Sequence, residues 1–167
     1  MPKRAEIRIA SRADHAPVGP AGSGLFSYAE GEDLYEHGGS HPPFEEDYGH
    51  IGLEHIGWRL EVRSREDFRG MPTGASEAGL IEHIAKPPVH RVSVRPEQVG
   101  SHWEEHGTWM RPPLLIDRRL LALPDGGLQV LEGRTRVGVP RGRLREGLKV
   151  APCHPAWVGR PRDASAH

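Results

Sequence analysis

Glycine and proline take up more than a fifth of this chain, 21 and 16 of its 167 residues, where average usage gives them about an eighth. Each proline fixes φ and removes a hydrogen-bond donor, and each glycine weakens a helix or strand it interrupts. A chain so punctuated folds only into short elements. The punctuation is also uneven. Pro17, Gly19, Pro20, Gly22 and Gly24 are followed by Gly38, Gly39, Pro42 and Pro43, and then by the acidic patch Glu45-Glu46-Asp47. Residues 1–50 therefore read as a loosely ordered arm, with room for one short strand where Ile7 and Ile9 alternate with charges. With only 36% hydrophobic residues, the core has to be concentrated elsewhere. The expected division is an arm over 1–50, a single α+β domain over 51–160 and a tail over 161–167.

Charge and cysteine content narrow the classes. A formal net charge of −1 supplies no global field to attract nucleic acid or an acidic membrane, so local clustering must carry any such contact. The single cysteine, Cys153, excludes a disulfide framework. Bracketed by Pro152 and Pro155, it reads as an inert, semi-buried thiol rather than a nucleophile paired with His154. No apolar run is long enough to span a bilayer. The start Met-Pro-Lys-Arg lacks the apolar stretch of a secretory signal, so a soluble cytoplasmic chain is expected.

From Ile51 the pattern tightens. Trp58, Leu60 and Val62 alternate with Arg59, Glu61 and Arg63, a strand signal. The spacing of Leu80, Ile81 and Ile84 predicts a helix over Ala75 to Ala85, capped by Thr73 or Ser76 and ended by Pro87 and Pro88. Val89, Val92 and Val94 suggest another strand. Pro96 opens a predicted helix over Glu97 to His106, which Gly107 closes. Leu114-Leu115-Ile116 reads as a buried strand, Pro124-Asp125-Gly126-Gly127 as a turn, and Leu128, Val130 and Leu131 as the returning strand. A short helical turn over Arg141 to Glu146 and a last strand or pair, Leu148 to Val150 and Ala156 to Val158, complete a small mixed sheet with a few short helices. The compact part is expected from about Val89 to Gly159, with residues 51–88 extending the sheet or covering a pocket.

The chemistry concentrates at Glu132-Gly133-Arg134-Thr135-Arg136. A glycine after a buried strand lets backbone approach a ligand. The N–H groups of a following helical turn carry partial positive charge. Arg134 and Arg136 add forked donors matched to phosphate oxygens, and Thr135 adds a hydroxyl. Glu132, one residue earlier, can orient an arginine or hold a metal, which makes it the candidate catalytic carboxylate. The phosphate- or nucleotide-binding candidates are Gly133, Arg134, Thr135 and Arg136.

In the order of its elements the stretch from His90 to Gly147 resembles the ParB/sulfiredoxin-like superfamily, the core match lying at about 89–147. A valine-rich strand, Val89 to Val94, precedes a glycine-closed helix, Ser101 to Gly107. A proline-led apolar strand, Pro112 to Asp117, is followed by a strand ending in an acidic-Gly-x-x-Arg signature, Leu128 to Arg136. The resemblance implies binding of a nucleotide, CTP or ATP/ADP with Mg²⁺. Its phosphates would lie against Gly133, Arg134 and Arg136, and Glu132 near metal or substrate. It also implies either a small phosphoryl-transfer enzyme or a nucleotide-gated regulator. Three features depart from the family. Gly138, Pro140 and Gly142 interrupt the helix that relatives carry directly after the motif. Glu132 and Thr135 stand where sulfiredoxins have a cysteine and a histidine. No helix-turn-helix of a DNA clamp follows.

Two other readings stay open. The arginines from Arg134 to Arg145 could grip nucleic acid or an acidic protein partner without catalysis. His102, Glu105 and His106 match the inverted zinc-protease spacing, two histidines one helical turn apart beside a carboxylate. The pairs His37/His41 and His50/His55 read as incidental loop residues. Trp58, Trp103, Trp109 and Trp157 read as packing residues, with Trp103 turned inward and Trp109 the candidate for stacking on a base.

Overall fold

The structure, a computed structural model, describes residues 46–51 and 56–162. Most of the expected arm, the strand at Ile7 and Ile9, the His37/His41 pair and His55 lie outside the described residues. The described chain is α+β. Its mixed four-stranded sheet has the order β1-β4-β2-β3, with β1 at Ile56–Ser64, β2 at Leu114–Asp117, β3 at Leu128–Glu132 and β4 at Cys153–Pro161. β1 pairs antiparallel with β4 and β2 antiparallel with β3, while β2 and β4 run parallel. Residues 56–64 thus extend the sheet, one of the two roles open to the segment ahead of Val89. The helices are α1 at Leu80–Ala85, α2 at Pro88–Ser93, α3 at Glu97–His106 and α4 at Arg134–Arg145.

Four local expectations change. Val89 to Val94 is helical, not extended, because Pro88 supplies the fixed φ of a first helical turn and Val92 falls on the buried face. The helix expected from Ala75 is split: a tight turn, Ala75–Glu77, is separated from α1 by Gly79 at φ 86°. Gly79 has no side chain with which to cap α1, and the N–H and hydroxyl of Ser76 bond Asp47 instead. The stretch Leu148 to Val150 is not a strand. The largest change is α4, one continuous helix through Gly138, Pro140 and Gly142, of which Arg141 to Arg145 is only the last part. The glycines that weaken it in isolation bring it against α1. A Cβ on Gly138 would lie 2.7 Å from Ile84 Cγ2, and one on Gly142 would run into the Ala85 carbonyl.

Alternation along the strands divides the core. On the face that carries the helices, Leu115, Val130, Ala156 and Val158 pack with Phe68, Met71, Ile81 and Val137. Helix packing continues this layer through Ile84, Val92, Trp103 and Val139. On the opposite face Ile56, Leu114, Ile116 and Leu131 pack with Tyr48. This sandwiching fixes β3 rigidly, so the chain leaves Glu132 in a defined direction into α4.

Candidate functional site

The Glu132–Arg136 segment sits at the junction of a buried strand and the longest helix among the described residues. Gly133 adopts φ 90°, ψ 39°, a left-handed conformation that reverses the chain between β3 and α4. The first helical bond there runs from the Val137 N–H to the Gly133 carbonyl at 3.1 Å. The preceding amides of the first turn have no intrahelical acceptor, and Gly133 offers no capping side chain. They and the helix dipole form a locus of partial positive charge.

The space expected to admit a ligand at Gly133 is filled by protein. Gly133 is buried, and a Cβ there would lie 2.9 Å from Pro113 Cβ. Pro113, not a ligand, occupies the space left by the missing side chain. The glycine answers to the positive φ and to this proline, and any anion would meet the first-turn amides beyond it.

The two arginines are held by different carboxylates. Arg136 turns back, and its Nη1 donates to Glu132 Oε2 at 2.8 Å. Arg134 pairs with Glu77, both side chains being largely buried. Burial lowers the Arg134 pKa, while the nearby Tyr48 and Asp47 favour its charge; an arginine keeps its proton in any case. Tyr48 is itself buried. Its hydroxyl donates to the Val130 carbonyl at 3.1 Å and accepts from Gln129 Nε2 at 2.8 Å, and burial is the main cause raising its pKa. Asp47 accepts from Ser76 Oγ at 3.0 Å. Thus Asp47, Tyr48 and Glu77 join Arg134, three partners that the motif did not indicate. They arrive from short helical turns at 46–48 and 75–77, far away in sequence, and the acidic patch at 45–47 was the one visible hint.

The remaining arginines of α4 serve internal contacts. Arg141 bonds two carbonyls and Glu82, Arg143 lies over the Trp103 ring and bonds the Lys149 carbonyl, and Arg145 pairs with Glu82. The cluster that read as a basic grip is distributed around the helix rather than laid out as one exposed stripe.

On α3 the His102 and His106 rings stand 4.5 Å apart, as helical spacing requires. Among the described residues, however, no group of three or more histidine, cysteine, aspartate or glutamate side chains could hold a metal ion. Trp103 is fully buried as expected, and the half-buried Trp109 packs edge-on against it at 5.3 Å. Cys153 is exposed, not semi-buried. His154 beside it is buried, because neighbours on a strand face opposite ways; thiol and imidazole do not form a pair. No helix among the described residues is long and apolar enough to cross a membrane. No protein-family model, curated protein or solved structure matches the chain.

Proposed function

We propose that this chain is a nucleotide-binding domain of the ParB/sulfiredoxin-like kind, holding the phosphates of CTP or ATP/ADP at the first turn of α4. The observation that supports it most is the β3–Gly133–α4 junction. A buried strand ends in a left-handed glycine and passes directly into a twelve-residue helix with an uncapped N-terminus. That is the local geometry in which backbone amides and a helix dipole favour a phosphate. The continuity of α4 removes one of the three departures from the family pattern, while the helical conformation of Pro88–Ser93, where the pattern has a strand, adds another.

The carboxylates shape the chemistry. Arg134 and Arg136 are each neutralised at close range, so a bare anion gains less from them than from unpaired guanidinium groups. A nucleotide with Mg²⁺ relieves this. Magnesium characteristically takes one or two carboxylates together with phosphate oxygens. Glu132 would turn to the metal, and Arg136 would then donate to the phosphate. Glu132 is thus the candidate catalytic carboxylate for phosphoryl transfer, with charge stabilisation by Arg134 and Arg136; Thr135 adds a hydroxyl donor.

The test is a thermal-shift titration of CTP, ATP, ADP and GTP, each with and without Mg²⁺. A ligand that binds the native state raises Tm with its occupancy. One Mg²⁺-nucleotide should stabilise the chain, and Arg136→Gln should weaken that binding about tenfold or more, the loss of one charge-assisted hydrogen bond. Absence of any nucleotide-dependent shift in the native chain would falsify the proposal. A shift that survives both Arg136→Gln and Arg134→Gln would move the site away from α4.

A further inference from the structure

The two edges of the sheet are treated differently. At the β3 edge the Val130 N–H donates to the Pro72 carbonyl at 2.8 Å, Thr73 forms a bridge to Val130, and the Tyr48 hydroxyl takes the Val130 carbonyl. That edge is covered. The β1 edge has β4 on one side and, among the described residues, no strand on the other. It runs for nine residues, Ile56–Ser64, without a proline or a bulge, two of the devices that blunt an edge; its charges Arg59, Glu61 and Arg63 all lie on one face. Its apolar side chains are also left out: Leu60 is 54% exposed and Val62 72%. They lie on the face away from the helices, since Leu60 pairs with Trp157 and Val62 with Pro155.

We propose that β1 is a self-association edge, pairing antiparallel with β1 of a second copy of this chain about a two-fold axis at Leu60. The sequence of the strand selects both partner and register. When a strand pairs with its own copy, a slip of one residue puts apolar and charged side chains on the same face. Only registers that keep the faces matched remain. The one centred on Leu60 uses the whole strand, from Ile56 opposite Ser64 to Ser64 opposite Ile56. It sets Arg59 opposite Glu61 twice, Trp58 opposite Val62 twice, and Leu60 opposite itself. Opposite charges facing each other across strands stabilise, and like charges destabilise. The two adjacent matched registers fail on this count, for one places Glu61 against Glu61 and the other Arg59 against Arg59. Arg59 is exposed and makes no ion pair among the described residues. Glu61, already held by Arg160 and Arg63, is therefore a fixed acceptor waiting at the right height. The product is one continuous sheet across both copies, with Leu60 flanked by its own copy and Val62 by Trp58. The interface is isologous, as a closed dimer requires.

The experiment uses the full chain carrying Cys153→Ser, so that engineered thiols are the only ones. Sedimentation velocity over a concentration series should show a monomer–dimer equilibrium. Single cysteines placed at 59, 60 and 61 then read the register under mild oxidation. Directly opposed residues have Cα atoms within disulfide reach, so Leu60→Cys should crosslink the dimer, and Arg59→Cys and Glu61→Cys should not. Arg59→Glu should weaken the dimer at least tenfold with circular dichroism unchanged. A chain that stays monomeric up to its solubility limit overturns the proposal. Crosslinking through 59 or 61, or an Arg59→Glu chain that dimerises normally, overturns the register.

Discussion

His154 carries the clearest consequence at the scale of a single residue. Its ring is buried, with Nδ1 2.7 Å from the Thr108 hydroxyl, Phe68 5.2 Å away and Nε2 without a hydrogen-bond partner. Burial pushes its pKa down to about 4, partly offset by a backbone hydrogen bond at Ala151 and slightly reinforced by the Arg65 charge. An unfolded histidine titrates near 6.5. Between these values the unfolded chain holds a proton that the native chain does not, so native stability is full above about 6.5 and falls as pH drops toward 4. The loss should reach about 2–3 kcal/mol by pH 4.5. Urea midpoints at pH 7.5 and 4.5 measure it, and His154→Gln should flatten the dependence. If both proteins lose stability equally over that window, the imidazole is not held neutral by its surroundings. Nothing in the sequence announced this. Cys153-His154 invited attention as a pair, and the strand's alternation sends the thiol to solvent and the ring to the core.

At the scale of the element, identical substitutions should have opposite signs in two helices. Gly142 in α4 sits against the Ala85 carbonyl, whereas nothing lies within 4 Å of a Cβ on Gly100 in α3. Gly142→Ala gains helix propensity of about 1 kcal/mol but forces α1 and α4 apart, for a net loss of about 2 kcal/mol. Gly100→Ala has only the gain, about 0.5–1 kcal/mol. Equilibrium urea unfolding of the two variants decides the matter; destabilisation by both would mean that Gly100 too is packed. The same contrast explains what was legible beforehand. Strand β2, strand β3 and helix α3 were readable because their signals are local: an apolar run, a turn with two glycines, a proline opening and a glycine closing. Helix α4 was not, because what makes its glycines acceptable is the surface of α1, some fifty residues earlier in the chain. Helix α2 was missed because its valines suit either a strand or one face of a helix, and burial of Val92 decides. The candidate site divides in the same way. The glycine turn was visible as a motif, while Glu77, Asp47 and Tyr48 reach Arg134 through tertiary structure alone.

At the scale of the whole molecule, the arginine-rich stretch that resembles a binding surface acts in part as a strut. Arg141 is 4% exposed. Its Nε donates to the Phe68 carbonyl at 2.9 Å, its Nη2 to the Met71 carbonyl at 2.7 Å and its Nη1 to Glu82 at 2.5 Å. It thereby joins α4 to α1 and to the segment that follows β1, and Phe68 in that segment packs with Val158 of β4. One planar fork ties the early part of the chain to the late part across the helical face. Removing it leaves two buried carbonyls unpaired, whereas Glu82, half exposed and also held by Arg145, can return to water. The costs should therefore be ordered. Arg141→Ala loses about 3–5 kcal/mol. Arg141→Lys loses somewhat less, because an ammonium cannot reproduce the fork. Glu82→Gln loses about 1 kcal/mol or less, since an exposed pair contributes little. Denaturant unfolding gives the order directly. Should Glu82→Gln cost as much as Arg141→Ala, the strut would be the ion pair rather than the two carbonyls.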